Sequence, residues 1–268
     1  MEKKDLIEYE RKINNLSADE QKLREIYLKQ MSDGTLQGPS LKEESITHTK
    51  NRYYSDEQLS ENIPNLSIYE YLKERNKDNL DSIALDYFDK KITYRELFEN
   101  IDKAAKVFIN NGVKQGDIVS MSFPTIPESV YMFYALNKIG AISNMVDPRV
   151  SAEQLRDYIN EVNSKLFVGI DLYDSKFEEA LVGTNVEKSI LISAGSSMPN
   201  GITKFGSGLL SKKKTLKKHR LITNNYKEEV KQASKVVLPS NIEVKSDDVV
   251  AIIHTGRTTG KSKGVMFK

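Results

Sequence analysis

The chain contains no cysteine, which excludes a disulfide framework, a thiolate nucleophile and any cysteine-ligated metal. Histidine is nearly as scarce: His48, His219 and His254 are the only three, too dispersed to read as a metal cluster. No stretch is apolar for long enough to span a bilayer, and the N-terminus has no apolar run of signal-peptide length. The cytoplasm is therefore the expected compartment. Charge of one sign is missing too, since 40 Lys and Arg stand against 38 Asp and Glu. A net charge of +2 argues against a dedicated nucleic-acid binder.

What is present is an ordinary polar, foldable composition, 38% hydrophobic and 29% charged over 268 residues. Residues 1–66 differ from the rest. They are rich in lysine and glutamate, with a helical pattern through Ile7 to Met31 broken by Ser32-Asp-Gly34 and Gly38-Pro39. We read them as a helical or flexible extension ahead of a domain over 67–268. Within that domain, Lys212 to Lys214, Lys217, Lys218 and Arg220 form a basic run. Leu209, Leu210, Leu216 and Leu221 interleave with it as the packing face of a solvated helix would. No aromatic platform for bases accompanies it. A Gly- and Ser-rich stretch from Ala194 to Gly208 reads as a loop.

Helical patterns alternate with short apolar strands. Thr93 is an N-cap with Glu96 three residues on, followed by Leu97, Ile101, Ala104, Ala105, Phe108 and Ile109 on one face and by Gly112 as a stop. Glu128 to Lys138 forms a second helix whose Val130, Tyr131, Phe133 and Tyr134 suit a core, and Ser151 with Gln154 caps a third. Strands are expected at Ile118–Phe123, Ala141–Val146, Leu166–Ile170, Ser189–Ile192 and Val249–Ile253. That alternation predicts an α/β fold, a mostly parallel sheet layered with helices. Ligands of such sheets sit beyond the carboxyl ends of the strands.

Directly behind the last apolar run comes Thr255-Gly-Arg-Thr-Thr-Gly-Lys-Ser-Lys-Gly264. Thr255, Thr258 and Thr259 offer hydroxyls. Gly256, Gly260 and Gly264 let backbone N–H groups close on an anion, and Lys261 and Lys263 add positive charge. This mixture suits phosphate. A P-loop is one reading, because Gly260-Lys261-Ser262 follows a strand, but the first glycine of that motif would fall on Thr255, and a P-loop needs a helix behind it.

The segment resembles the phosphate-loop signature of the adenylate-forming superfamily, T-[SG]-G-[ST]-T-G-x-P-K-G, which includes acyl-CoA synthetases. Seven of the nine specified positions agree. Arg257 stands where the family has its second loop glycine, and Ser262 where it has proline. A side chain on a backbone needing positive φ costs about 1 kcal/mol or more. Ile92-Thr-Tyr-Arg-Glu-Leu97, Gly112-Val-Lys-Gln-Gly-Asp-Ile-Val119, Leu136 to Ala141 and Asp147-Pro148 resemble further family segments, in the family's order. The resemblance implies the N-terminal subdomains of such an enzyme, with Thr255, Gly256, Thr258, Thr259, Gly260 and Lys263 cradling the β- and γ-phosphates of ATP, and His254 in the slot before the loop. It implies ATP with Mg2+, a carboxylic acid, and CoA as co-substrate. The family's adenine, ribose, magnesium and catalytic-lysine motifs lie beyond Lys268, so the chain is expected to be inactive without a complementary C-terminal portion. A non-catalytic interaction remnant is the other class of reading.

Overall fold

The structure is a computed structural model that describes Ser55, residues 64–196, Met198, and residues 222–254 and 263–268. The chain divides into one unit over Met1–Asn62 and another over Ile63–Lys268, and only the second is described below. The helical pattern through Met31, the basic run and most of the 194–208 loop lie outside the described residues.

Helix α1 (Ile68–Arg75) and the hairpin of β1 (Ile83–Tyr87) and β2 (Lys90–Thr93) lead into α2 (Tyr94–Asn110). The capping box forms as the spacing predicts. Thr93 Oγ1 accepts from Glu96 N at 3.3 Å and Glu96 Oε2 accepts from Thr93 N at 2.8 Å, so two N–H groups that the helix itself cannot pair are satisfied. Leu97, Ile101, Ala104, Ala105 and Phe108 are all buried. Gly112 ends the helix at φ +80°, where a Cβ would be strained.

Strands β3 (Ile118–Ser122), β4 (Ile142–Met145), β5 (Leu166–Ile170), β6 (Lys188–Ile192), β7 (Ile222–Asn225), β8 (Ala251–His254) and β9 (Gly264–Phe267) form one sheet in the order 7-6-5-3-4-8-9. Every pair is parallel except β8 with β9. Helices α3 (Pro127–Lys138), α4 (Ala152–Glu161), α5 (Asp174–Leu181) and α6 (Tyr226–Gln232) complete the layers. Parallel strands covered on both faces read as near-continuous apolar runs, and β5 is buried throughout. Its alternation sorts the two layers: Leu166, Val168 and Ile170 join the core beneath α2 and α3, while Phe167 joins Leu155, Tyr158, Ile159 and Phe177 beneath α4 and α5. Tyr131 is core as expected, and burial, with Glu128 nearby, pushes its hydroxyl above the usual tyrosine range.

The structure corrects the P-loop reading. The residues after the loop form the antiparallel strand β9, not a helix, so no helix N-terminus follows Gly260-Lys261-Ser262 to hold phosphates.

One buried charge pins the far edge of the sheet. Glu229 of α6 is fully buried, accepts from Lys188 Nζ at 2.9 Å and from Asn111 Nδ2 at 2.7 Å, and is also bonded by Asn224. Burial works to raise its pKa, but these donors outweigh burial and hold it below the ordinary value. A depressed carboxyl stabilises the fold above its unfolded pKa of about 4.3, and that stability is lost as pH falls through the folded value. Urea midpoints measured against pH should therefore drop below about pH 4.3 in the wild type. The drop should be shallower in Glu229→Gln, and identical slopes would contradict this. Gly169 gives a packing test: a Cβ there would stand 2.4 Å from Phe177 Cε2 and 2.9 Å from Phe167 Cε1. Gly169→Ala should cost about 1–3 kcal/mol by urea denaturation.

Candidate functional site

The direction of β3, β4, β5 and β6 places all their carboxyl ends at one edge of the domain. The chain runs from β3 through α3 to β4 on one side, then from β5 through α5 to β6 on the other. The connections thus diverge between the neighbours β3 and β5, the position where open α/β sheets leave a crevice. A cavity of ≈ 500 Å³ occupies this end, lined by Phe123 and Thr125 after β3, Val146, Asp147 and Arg149 after β4, and Tyr173 after β5.

Its rim is electrostatically locked. Asp147 Oδ1 accepts from Arg149 N at 2.8 Å and Nε at 2.9 Å, and Oδ2 accepts from Arg149 Nη2 at 2.6 Å. The side-chain bonds from Arg149, then its backbone N–H, hold the Asp147 pKa at about 2. Asp147 is therefore ionised at any working pH and offsets one of the two cations here. The other, Lys176, donates to the carbonyls of Pro148 and Val150 and lies 4.4 Å from the centre of the Tyr173 ring. Burial lowers its pKa, opposed by Asp147.

Beside this crevice, β8 pairs with β4, Met145 opposite Ile253, so β8 ends at His254 next to the turn that carries Asp147. Strand β9 returns antiparallel with Gly264 in register with His254. Strand β8 thus ends and β9 begins at the ligand end of the sheet, with residues 255–263 between them in sequence. Gly264 is required by this closure, because a Cβ there would meet Ile252 Cγ2 at 2.9 Å. Of the residues that the sequence assigns to phosphate, Thr255, Gly256, Thr258, Thr259 and Gly260 lie outside the described residues. Lys263 is described, exposed, immediately before β9.

The neck of this connection is anchored by side chains that sequence reasoning missed. His254 stacks on Tyr158 of α4 with ring centroids 3.8 Å apart and planes 8° from parallel. Its Nε2 lies 2.8 Å from Asn144 Oδ1. Asn144 is fully buried, and its Nδ2 donates to Ser120 Oγ at 2.9 Å and to the Tyr158 carbonyl at 3.4 Å. A carbonyl only accepts, so Nδ2 must face Tyr158 and Oδ1 must face His254, which makes His254 Nε2 the proton donor. The signal available in the sequence was Ser143-Asn144, a polar pair inside a strand that the fold buries. Among the described residues no group of three or more His, Asp or Glu is placed to hold a metal ion. Asn144→Leu would leave the His254 donor and the Ser120 hydroxyl buried without their partner. It should cost about 1–3 kcal/mol by chemical denaturation, and a neutral result would show that the seam is not held by these bonds.

Comparison with known proteins agrees with this geometry. The family described as AMP-binding enzyme matches residues 72–268. The acetyl-coenzyme A synthetase of Bartonella bacilliformis is 29% identical over 233 residues, which is 82% of this chain and 34% of that protein. That of Penicillium chrysogenum is 31% identical over 197 residues, 70% of this chain and 28% of that protein. Among solved structures, an anthranilate CoA ligase in complex with anthranoyl-AMP shares the fold with a TM-score of 0.60 at 14% identity, over 76% of this chain and 35% of that one. The chain thus spans about a third of the length of these relatives. No helix among the described residues is long and apolar enough to cross a membrane. By its matched residues and its layered parallel sheet, the chain belongs to the AMP-binding enzyme family, as an N-terminal portion of the adenylate-forming fold.

Proposed function

We propose that these residues form the phosphate-binding portion of an ATP-dependent carboxylic acid–CoA ligase. In that reaction a carboxylate oxygen attacks the α-phosphorus of ATP. The bond between the α-phosphorus and the bridging oxygen breaks, pyrophosphate leaves, and the acyl-adenylate then passes its acyl group to the thiol of CoA with release of AMP. The observation that carries the reading is the β8–β9 pairing, which sets His254 and Gly264, the two ends of the segment with the threonines, glycines and lysines suited to phosphate, at the ligand end of the sheet.

In this reading Thr255, Gly256, Thr258, Thr259, Gly260 and Lys263 hold the β- and γ-phosphates. Their work is positioning and charge neutralisation, which lower the barrier by stabilising charge that develops on the leaving pyrophosphate. Mg2+ arrives with ATP, and no residue of this chain is assigned to it. The neighbouring crevice, with Arg149 in its lining, is the place for another part of the substrates to approach. The names of the relatives, acetyl-coenzyme A synthetases and an anthranilate CoA ligase, support carboxylic acids as the substrate class. Because the residues span about a third of those proteins, we further propose that they bind the triphosphate without turning it over, and that a complementary C-terminal portion completes the catalyst.

Calorimetric titration of the 268-residue chain with MgATP tests the phosphate role. Lys263→Met removes one charge-assisted bond and should weaken ATP by about ten- to a hundredfold. An unchanged affinity would overturn the role of Lys263. Acid-dependent exchange between ATP and pyrophosphate should be absent from this chain alone, and its presence would overturn the need for a further portion.

A further inference from the structure

We propose that His254 is a positioning residue whose protonation, read by Glu161, sets the closure of the β8–β9 neck. The inference rests on the phosphate reading only in its effect on ATP. Three contacts hold the ring: Tyr158 against its face, Asn144 at Nε2, and Gly264 opposite it in the β8–β9 register. The side chain is 4% exposed. Since Nε2 carries the proton toward Asn144, neutral His254 presents a bare lone pair at Nδ1. That nitrogen is buried and has no hydrogen-bond partner among the described residues.

What faces Nδ1 is an acid. Glu161 Oε2 lies 3.8 Å away on the last turn of α4, half exposed to solvent. A lone pair and a carboxylate have nothing to share in the neutral state. Once Nδ1 is protonated, the same pair becomes a charge-assisted hydrogen bond, and the carboxylate needs to move by less than an ångström to make it. The other groups packed on the ring do not compete. Tyr158 offers its face, the β4 residues Ser143, Asn144 and Met145 carry no charge, and on β9 the ring meets Gly264, with Lys263 the adjacent cation in sequence. Gly264 is also near both partners: a Cβ there would stand 3.5 Å from His254 Cε1 and 3.5 Å from Glu161 Oε1. The ion pair would thus clasp α4 to the hairpin at the point where the 255–263 connection begins and ends.

Burial favours the neutral ring and Glu161 favours the charged one, so the switch is set below the ordinary histidine range, with burial the larger influence. By linkage, a polyphosphate held by the connection would stabilise the imidazolium, and protonation would in turn tighten polyphosphate by the same factor.

The test uses the 268-residue chain, with Glu161→Gln and His254→Phe. Histidine ring signals followed by NMR give the pKa of His254, identified by their loss in His254→Phe. Amide exchange of Ile253 and Val265, normalised to intrinsic rates at each pH, reads the neck. We expect Glu161→Gln to lower the His254 pKa. We expect wild-type neck protection to rise about three- to tenfold as pH falls through that pKa, the range of one hydrogen bond, and this rise to vanish in both variants. His254→Phe keeps the ring stack, so a folded variant with the wild-type pH response would overturn the proposal, as would a His254 pKa indifferent to Glu161. MgATP titrations on the same samples separate the two readings: absence of ATP binding with the pH-dependent neck intact would sink the phosphate role alone.

Discussion

A single buried amide, Asn144, ties together the elements on which the ligand end of this domain depends. Its side chain reaches Ser120 on β3, the Tyr158 carbonyl on α4 and His254 on β8, and it is closed off from water. An amide in such a place must find its partners in the protein, because each unpaired polar atom costs about 1–3 kcal/mol. Ser164 plays the matching part on the other side of β3. Its hydroxyl accepts from Ser120 N at 2.9 Å and lies 2.8 Å from the Leu166 carbonyl, joining β3 to the start of β5. The sheet therefore carries a polar seam through its centre, and the seam specifies strand order as apolar packing alone would not. Apolar side chains tolerate a neighbour of similar size, whereas Asn144 accepts only an arrangement that brings these groups to it.

The consequence reaches the site through β8. Its last residue, His254, is held from the side by β4 and α4 and from across the hairpin by Gly264, so the connection that follows starts from a fixed point. The crevice at the divergence of β3 and β5 lies alongside, its Asp147 kept ionised by Arg149. The sheet thus fixes both ends of a segment rich in threonine, glycine and lysine, the usual division of labour between sheets and functional loops.

Local signals in the sequence carried far, and non-local ones did not. The capping boxes at Thr93 and Ser151 need only four residues to be recognised, and both form. The buried strands were visible as apolar runs bounded by turns, although β8 begins at Ala251, two residues after the run starts. The hairpin of β1 and β2 escaped notice because Phe88 and Asp89 take positive φ at its turn, in place of the usual Asn-Gly pair. Strand β9 is four residues long and largely exposed, so no periodicity marks it. His254 had no visible role because its partner Asn144 lies 110 residues away, and only the parallel pairing of β4 with β8 brings the two together. The residues proposed for phosphate could be named from the sequence for the opposite reason: their chemistry is contained in one contiguous segment.

The central proposal is that this chain binds ATP through its β- and γ-phosphates. Competition of ATP, inorganic tripolyphosphate and AMP for the 268-residue chain, followed by phosphorus NMR, tests it most directly. The account predicts that tripolyphosphate displaces ATP and that AMP does not. Displacement by AMP without displacement by tripolyphosphate would contradict it.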